Sequence, residues 1–198
     1  MSRPIAIFVE QIYEDMELQY PRFRLLEAGY QVCIVGPEAG ETYKGKHGYP
    51  QKSDIASADV SASDFGMIII PGGFAPDFMR RDHHLLRLVQ EAADENIPMA
   101  AICHGVWMFC STHALQGRRC TSFYAIAHDV VNAGAIWVDE ECVVDGNLIT
   151  SRTPADLPAF MKSVIQMLDT AKAEGSQGKP VAPHWLQETL NQPTGARG

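Results

Sequence analysis

Residues 97–106 read Ile-Pro-Met-Ala-Ala-Ile-Cys-His-Gly-Val, an apolar run that ends in a cysteine, a histidine and a glycine. A helical pattern follows, so the run predicts a buried strand, with Cys103 at the turn from that strand into a helix. Such a nucleophile elbow exposes its side chain at the carboxyl edge of a sheet. The next helix N-terminus and unpaired backbone N–H groups would stabilise a thiolate, so we expect a thiol that is partly ionised near neutral pH. The alternative is a buried cysteine that only closes a core strand, because free cysteine packs as a small hydrophobe.

Apolar strands and helical segments alternate along the chain on both sides of this run. That alternation predicts an α/β fold, in which a mostly parallel, doubly wound sheet carries helices on both faces. A glycine-rich stretch at 40–53 lacks the spacing of a phosphate-binding loop and is predicted to be an excursion or a hairpin. The patterns predict strands at 5–9, 31–35, 67–70, 98–102, 120–122, 137–138, 142–144 and 148–150, and helices at 15–28, 83–95, 104–114, 125–133 and from 153 to about 171.

Length and charge limit the classes of protein to which this chain can belong. Its 198 residues are enough for one domain with a sizeable core, and 46% of them are apolar and 20% charged, as in an ordinary globular protein. A net charge of −8 without a cluster of lysine and arginine argues against a nucleic acid or an anionic membrane as partner. We expect one α/β domain over residues 1–172 and a tail over 173–198 that is flexible or docked through Trp185 and Leu186.

The cysteines and the N-terminal sequence indicate a reducing compartment. The five cysteines are odd in number, widely spaced and free of any CxxC pair, so they predict neither a disulfide framework nor a zinc site. No apolar stretch is long enough for a signal peptide or a membrane span, and we expect a cytoplasmic protein. Neither a GxSxG nor a GxGxxG motif is present, so we expect no serine nucleophile and no nucleotide cofactor. The isolated pair His83-His84 is expected on a solvated surface, and we expect no metal.

Several short motifs, taken together, resemble the PfpI branch of the DJ superfamily, over a span from about residue 4 to residue 170. The resemblance implies a flavodoxin-like fold, a cysteine site that works without a cofactor, and obligate dimers that can assemble further into hexamers. It also implies one of several activities: intracellular peptidase, glyoxalase, protein deglycase or stress protection. The motifs are Tyr13-Glu14-Asp15-Met16-Glu17, Gly45-Lys46-His47-Gly48, Pro71-Gly72-Gly73, Ala101-Ile102-Cys103-His104-Gly105 and Asp145-Gly146-Asn147.

The resemblance assigns a role to each matching residue. Cys103 matches the nucleophile, His104 the adjacent histidine, and Glu14 the acidic residue that meets the thiol. A glutamate just past the first strand would be partly buried, and it could stay protonated and move that proton during turnover. We expect the backbone N–H groups of Gly73 and His104 to form an oxyanion hole. Glu17, in contrast, is expected at a subunit interface or as a helix cap.

Asp77 stands where PfpI-type proteins usually carry a glutamate that contacts the catalytic histidine across a subunit interface. The aspartate is one methylene shorter, so its bond to His104 would be longer or bridged by water. The catalytic role of Asp77 is therefore less firmly predicted than that of Cys103. The alternative is an exposed loop carboxylate that faces solvent.

Three functions follow from this set of residues. The first is an enzyme for small reactive aldehydes, methylglyoxal or glyoxal, or for their adducts on protein amino groups, in which the Cys103 thiolate adds to the aldehyde carbon. The second is a cysteine peptidase that uses Cys103, His104 and Asp77 from another subunit. The third is a non-catalytic redox-sensing stress protein, in which Cys103 is oxidised to a sulfinate beside Glu14.

Overall fold

The computed structural model describes residues 3–174, so the predicted tail, with Trp185 and Leu186, lies outside the described residues. The strands are β1 (Ile5–Phe8), β2 (Val32–Gly36), β3 (Thr42–Lys44), β4 (Pro50–Lys52), β5 (Ile55–Ala56), β6 (Met67–Ile70), β7 (Met99–Ile102), β8 (Arg119–Cys120), β9 (Ile136–Trp137), β10 (Cys142–Asp145) and β11 (Leu148–Ser151). The α-helices are α1 (Asp15–Glu27), α2 (Ala75–Met79), α3 (His83–Asp94), α4 (Trp107–Cys110), α5 (Ala127–Asn132) and α6 (Leu157–Glu174).

Seven strands form the central sheet, in the order β10-β11-β7-β6-β1-β2-β5. All neighbours in it are parallel except β10 and β11, which form an antiparallel hairpin. Strands β1, β6 and β7 are buried along their whole length. Their side chains are therefore apolar without alternation, as in parallel strands that are covered on both faces. The predicted doubly wound, mostly parallel α/β fold is confirmed.

The strand order places the helices and the crevice. The chain passes from β1 through α1 to β2 on one side, and from β6 through α3 to β7 on the other. Because both crossovers are right-handed, α1 and α3 lie on opposite faces of the sheet. The chain leaves the neighbouring strands β1 and β6 in opposite directions, and an open α/β sheet has its crevice at the carboxyl ends of such strands. Residues after β1, β6 and β7 therefore meet at one place.

Two sequence-based expectations about helices need correction. The helix predicted over 104–114 is a 3₁₀ turn over Cys103–Val106 followed by α4, which ends at Cys110. The Thr112 hydroxyl donates to the carbonyl of Phe109 and accepts from the N–H of Ala114, which replaces helical backbone bonds. Helix α1 was predicted over 15–28 from apolar residues that recur at helical spacing, namely Met16, Tyr20, Phe23, Leu25 and Leu26. The helix is present, but of these five residues only Leu25 is buried.

The glycine-rich stretch at 40–53, which was predicted to be an excursion or a hairpin, is a hairpin. Strands β3 and β4 pair antiparallel, with Tyr43 opposite Gln51. The hairpin lies over the segment that precedes α1, because the N–H of Ile12 donates to the carbonyl of Lys44 at 2.8 Å. Within residues 3–174, no helix has both the length and the apolar character needed to cross a membrane.

We expect Gly105→Ala to destabilise the protein by about 2 kcal/mol, because overpacking against backbone cannot be relieved by a rotamer change. A Cβ at Gly105 would lie 2.4 Å from the carbonyl oxygen of Ile70, at the end of β6. Gly66→Ala is the matched control, since the nearest atom to its added Cβ would be 3.4 Å away. Urea unfolding at one fixed protein concentration measures both. Equal stability of the two variants would contradict the close approach.

Candidate active site

Cys103 lies at a sharp turn that follows β7. Its backbone has φ +60°, in the left-handed region that a residue with a side chain rarely adopts, and the residue is 8% exposed. A strained, left-handed residue between a strand and a helical turn is the geometry of a nucleophile elbow. The predicted elbow at Cys103 is therefore present, but its side chain is more deeply buried than the sequence suggested.

Gly72 is the point at which three parts of the site converge. A Cβ at this position would lie 2.7 Å from Glu17 Oε2, 2.8 Å from Cys103 Cβ and 2.9 Å from the backbone nitrogen of His104. The absence of a side chain therefore allows α1, the end of β6 and the elbow to pack in direct contact. This close approach brings the Glu17 carboxyl group to the thiol.

Glu17 is completely buried in the first turn of α1. Its Oε2 accepts the N–H of Gly72 at 2.8 Å, whereas Oε1 has no hydrogen-bond partner among the described residues. Burial raises the pKa of Glu17 to about 8; the Gly72 N–H and the Cys103 thiol lower it, and the charge of Glu14 raises it further. Glu17 is thus a carboxyl group that stays largely protonated near neutral pH, beside the sulfur.

The expectation that Glu14 would meet the thiol is not met, because its carboxylate has another partner. Glu14 Oε2 lies 2.5 Å from the Nζ of Lys46, in the turn between β3 and β4. Glu14 is the residue before the first turn of α1, and Glu17 follows it by almost one turn. Long side chains in a first helical turn point back towards the N-terminus, which for Glu17 is the direction of Gly72. The acid beside the thiol is therefore Glu17, which the sequence analysis placed at an interface or a helix cap.

The thiol of Cys103 does not ionise as readily as the sequence analysis expected. Burial raises its pKa to about 12, the charge of Glu17 raises it as well, and the backbone N–H groups of His104 and Gly73 act in the opposite direction. The stabilising helix is also short, since α4 has only four residues, and a short helix contributes a small dipole. Ionisation of the sulfur therefore depends on the charge state of its neighbours rather than on the helix.

The two N–H groups predicted to form the oxyanion hole, those of Gly73 and His104, both lower the pKa of Cys103, because each favours a negative charge on the sulfur. They come from the end of β6 and from the elbow, and so the crevice brings them together. An alkoxide formed on a carbon attached to the sulfur would lie within reach of the same donors.

His104 lies beside the sulfur, with Nδ1 3.4 Å from Cys103 Sγ. Its ring contacts those of Trp107 and Phe123, with centroids 5.2 and 4.9 Å away. Burial and the positive charge of Lys46 lower the pKa of His104, so the imidazole is neutral near pH 7 and can accept a proton. No hydrogen bond joins His104 to a carboxylate within residues 3–174.

Asp77 lies on α2 and binds within its own chain. Its carboxylate pairs with Arg81, one helical turn further on, and its side chain is 36% exposed. Asp77 therefore does not contact His104 of the same chain. Its predicted role would require Asp77 of one subunit to contact His104 of another. That role remains a prediction.

Three side chains near the site are grouped as metal ligands would be, but hydrogen bonds and an ion pair explain why they lie close together. Glu14, Asp15 and His47 offer ligand atoms within 4.8 Å of one another. The two carboxylate oxygens of Asp15 accept the N–H groups of His47 and Tyr49, and Glu14 is bound to Lys46. These bonds tie the β3–β4 turn to the start of α1.

Comparison with known proteins connects this geometry with a family. Residues 3–167 match the model of the DJ-1/PfpI family. A deglycase of Pyrococcus horikoshii is 42% identical over 156 residues, which are 79% of this chain and 93% of that protein. YraA of Bacillus subtilis, which is named as a candidate cysteine protease, is 42% identical over 168 residues, or 85% of this chain and 99% of that protein. General stress protein 18 of the same organism is 38% identical over 171 residues, or 85% of this chain and 99% of that protein.

Solved structures support the same relationship. A two-domain protein of Anabaena variabilis, with a DJ-1/ThiJ/PfpI-like and a ferritin-like domain, is 41% identical with a TM-score of 0.82, and the match covers 91% of this chain and 52% of that one. Drosophila melanogaster DJ-1beta is 26% identical with a TM-score of 0.79, and the match covers 96% of both chains. The fold and the family model therefore agree with the relatives found by sequence.

We expect Glu17→Gln to be more stable than the wild-type protein by about 2 kcal/mol at pH 8, and by much less at pH 5. The folded-state pKa of Glu17 lies near 8, above the ordinary value of 4.5, so folding retains a proton that the unfolded chain loses. This contribution to stability is complete below about pH 4.5 and declines as pH rises towards 8. Glutamine removes the dependence because it does not ionise.

Urea unfolding of both proteins at pH 5 and pH 8 measures this difference. Glu27→Gln is the matched control, because Glu27 lies on the same helix with a side chain that is 76% exposed. A stability difference between wild type and Glu17→Gln that does not change with pH would contradict a protonated, buried Glu17.

Proposed function

The chain belongs to the DJ-1/PfpI family, and on this premise we propose that it is a cysteine enzyme, independent of a cofactor, for small reactive aldehydes. It would convert methylglyoxal or glyoxal to the 2-hydroxy acid, or release the same aldehydes from adducts on protein amino groups. The relatives named as deglycases support this substrate class. The relative named as a stress protein fits a protective role.

The observation that carries the proposal is the neutral, buried carboxyl group of Glu17 beside the Cys103 sulfur. Isomerisation of an aldehyde adduct needs a proton to leave one carbon and arrive at the next. Glu17, with a pKa near the working pH, can give up and take back the oxygen-bound protons of this rearrangement at little cost, while neutral His104 moves the proton between the carbons. A peptidase, in contrast, needs a base that is oriented by a carboxylate.

The reaction begins with addition of the thiolate. The Cys103 sulfur forms a bond to the aldehyde carbon, and the carbonyl electron pair moves to oxygen, where the N–H groups of Gly73 and His104 stabilise the charge. Protonation of that oxygen by Glu17 gives a hemithioacetal. The site is then ready for proton transfer between the two carbons of the substrate.

The second stage moves a hydrogen and needs no external oxidant. His104, which is neutral, removes the proton from the carbon bonded to sulfur, and its imidazolium delivers that proton to the neighbouring carbon of the resulting enediolate, while Glu17 passes the hydroxyl proton of the first carbon to the oxygen of the second. The first carbon is thereby oxidised to a thioester, and the second is reduced to a carbinol. Water then attacks the thioester and gives a proton to the Glu17 carboxylate, the carbon–sulfur bond breaks, and the 2-hydroxy acid and the Cys103 thiolate are released.

A cysteine peptidase is the second candidate, because His104 Nδ1 lies 3.4 Å from the nucleophile. Acyl transfer would require a carboxylate on the other side of the imidazole. We propose that Asp77 of another subunit supplies it in a dimer or hexamer. The Asp77–Arg81 pair would have to open for this contact, which makes the peptidase the weaker activity.

Removal of the sulfur should abolish the aldehyde reaction. We expect Cys103→Ala to reduce methylglyoxal consumption and lactate formation to the uncatalysed rate, and Glu17→Gln to lower kcat/KM by about tenfold to a hundredfold, as is usual for loss of an acid–base group. Cys142→Ala is the control, since Cys142 is on the edge strand β10, away from the elbow. Activity that survives in Cys103→Ala would exclude the proposed chemistry.

Substitution of Asp77 should separate the two activities. We expect Asp77→Asn to weaken cleavage of a fluorogenic peptide while methylglyoxal turnover remains within about twofold, because only acyl transfer needs an oriented imidazole. Asp77→Glu should strengthen peptide cleavage, since the side chain gains about 1 Å of reach towards a hydrogen bond of about 2.8 Å. Arg81→Gln is the control for loss of the ion pair alone. Equal losses on both substrates would remove Asp77 from this role.

A further inference from the structure

Lys46 is held over the site by backbone bonds as well as by its side chain. Its N–H donates to the carbonyl of Tyr13 at 2.8 Å, and the turn that contains it is tied down by Asp15, which accepts from His47 and Tyr49 at 2.9 and 3.0 Å. The Tyr13 hydroxyl donates to the carbonyl of Tyr49 at 2.5 Å. The position of Lys46 is therefore fixed by the fold and does not depend on its own ion pair.

The ammonium group of Lys46 pairs with Glu14, which precedes Glu17 by almost one helical turn. Nζ lies 2.5 Å from Glu14 Oε2, whose side chain is 7% exposed, whereas the Lys46 side chain is 44% exposed. The bond to Glu14 raises the pKa of Lys46; burial lowers it, and the charges of Glu14, Glu17 and Cys103 raise it. Lys46 is therefore charged at every pH at which the enzyme would work.

The charged groups around the sulfur come from three elements. Glu17 on α1 and His104 on the elbow act directly on the sulfur, and Lys46 on the β3–β4 turn is paired with Glu14, the residue before α1. The same ammonium lowers the pKa of His104 and of Glu17, and the charge of Glu14 raises the pKa of Glu17. An unpaired Glu14 carboxylate would add its negative charge to this buried site, where the low local dielectric strengthens its opposition to a thiolate.

We infer that Lys46 is a positioning residue for the nucleophile: its ammonium neutralises the buried Glu14 carboxylate, and this compensation allows the Cys103 sulfur to become a thiolate beside Glu17. Lys46 is not among the residues predicted to be catalytic. The inference rests on the proposed function only in that Cys103 is the nucleophile. It concerns the ionisation of the sulfur, which can be measured without a substrate.

The test is the rate of alkylation of Cys103 by iodoacetamide from pH 6 to pH 10.5, followed by mass spectrometry of the peptide that contains it. We expect Lys46→Met to be alkylated about tenfold more slowly at a given pH, and its rate profile to move to higher pH by about one unit. Lys46→Arg should react within about threefold of wild type, since it keeps the charge. Lys44→Met is the matched control, because Lys44 is exposed on the same hairpin.

Several outcomes would overturn the inference. One is a Lys46→Met profile that matches wild type; another is an equal loss in Lys46→Met and Lys46→Arg, which would indicate disturbed packing of the turn. Alkylation of Cys142, measured in the same samples, corrects for differences in reagent concentration and for unfolding of the protein. The proposed function is tested independently of this inference. If the wild-type protein does not consume methylglyoxal but the alkylation profiles differ as expected, the role of Lys46 is supported and the aldehyde chemistry is excluded.

Discussion

The hydrogen bond from the Gly72 N–H to the buried Glu17 carboxyl connects the two halves of the site. It joins the first turn of α1, which follows β1, to the end of β6, and it does so at the point where the chain leaves these neighbouring strands in opposite directions. A glycine is needed there, because a Cβ would meet the carboxylate, the Cys103 Cβ and the elbow backbone within 3 Å. One close approach therefore fixes the Glu17 carboxyl group, the Cys103 side chain and the backbone N–H of His104 with respect to each other.

The charge state of the site follows from this geometry. A carboxyl group that is excluded from water keeps its proton, and a thiol in the same surroundings keeps its own, so the sulfur becomes reactive only through its neighbours. Lys46 and Glu14 form an ion pair at this site, and burial together with the charge of Lys46 lowers the pKa of His104. Because folding keeps Glu17 protonated, this residue lowers the free energy of unfolding at alkaline pH. Such a loss of stability is typical of groups that serve in catalysis.

Helix α1 exposes a stripe of large apolar side chains. Met16, Tyr20 and Phe23 are 57%, 40% and 53% exposed and recur on one side of the helix, whereas the inward side carries Glu17 together with Leu18, Pro21 and Leu25. Helix α1 thus packs apolar side chains inward in the ordinary way, but it also exposes an apolar stripe. A soluble protein covers such a stripe with another surface. The arrangement fits the expected assembly of several subunits, in which the His104 site would gain a carboxylate.

The sequence by itself determined the architecture and the position of the elbow cysteine. Continuous apolar runs between helical segments specify buried parallel strands, and a Cys-His-Gly sequence after one of them specifies an elbow, since these are local patterns that the chain carries along its length. Tertiary structure alone decided which glutamate meets the sulfur, because Glu14 and Glu17 are three residues apart and only the docking of α1 and the hairpin distinguishes them. It also decided the ionisation of Cys103, since burial and neighbouring charges depend on residues that are distant in sequence.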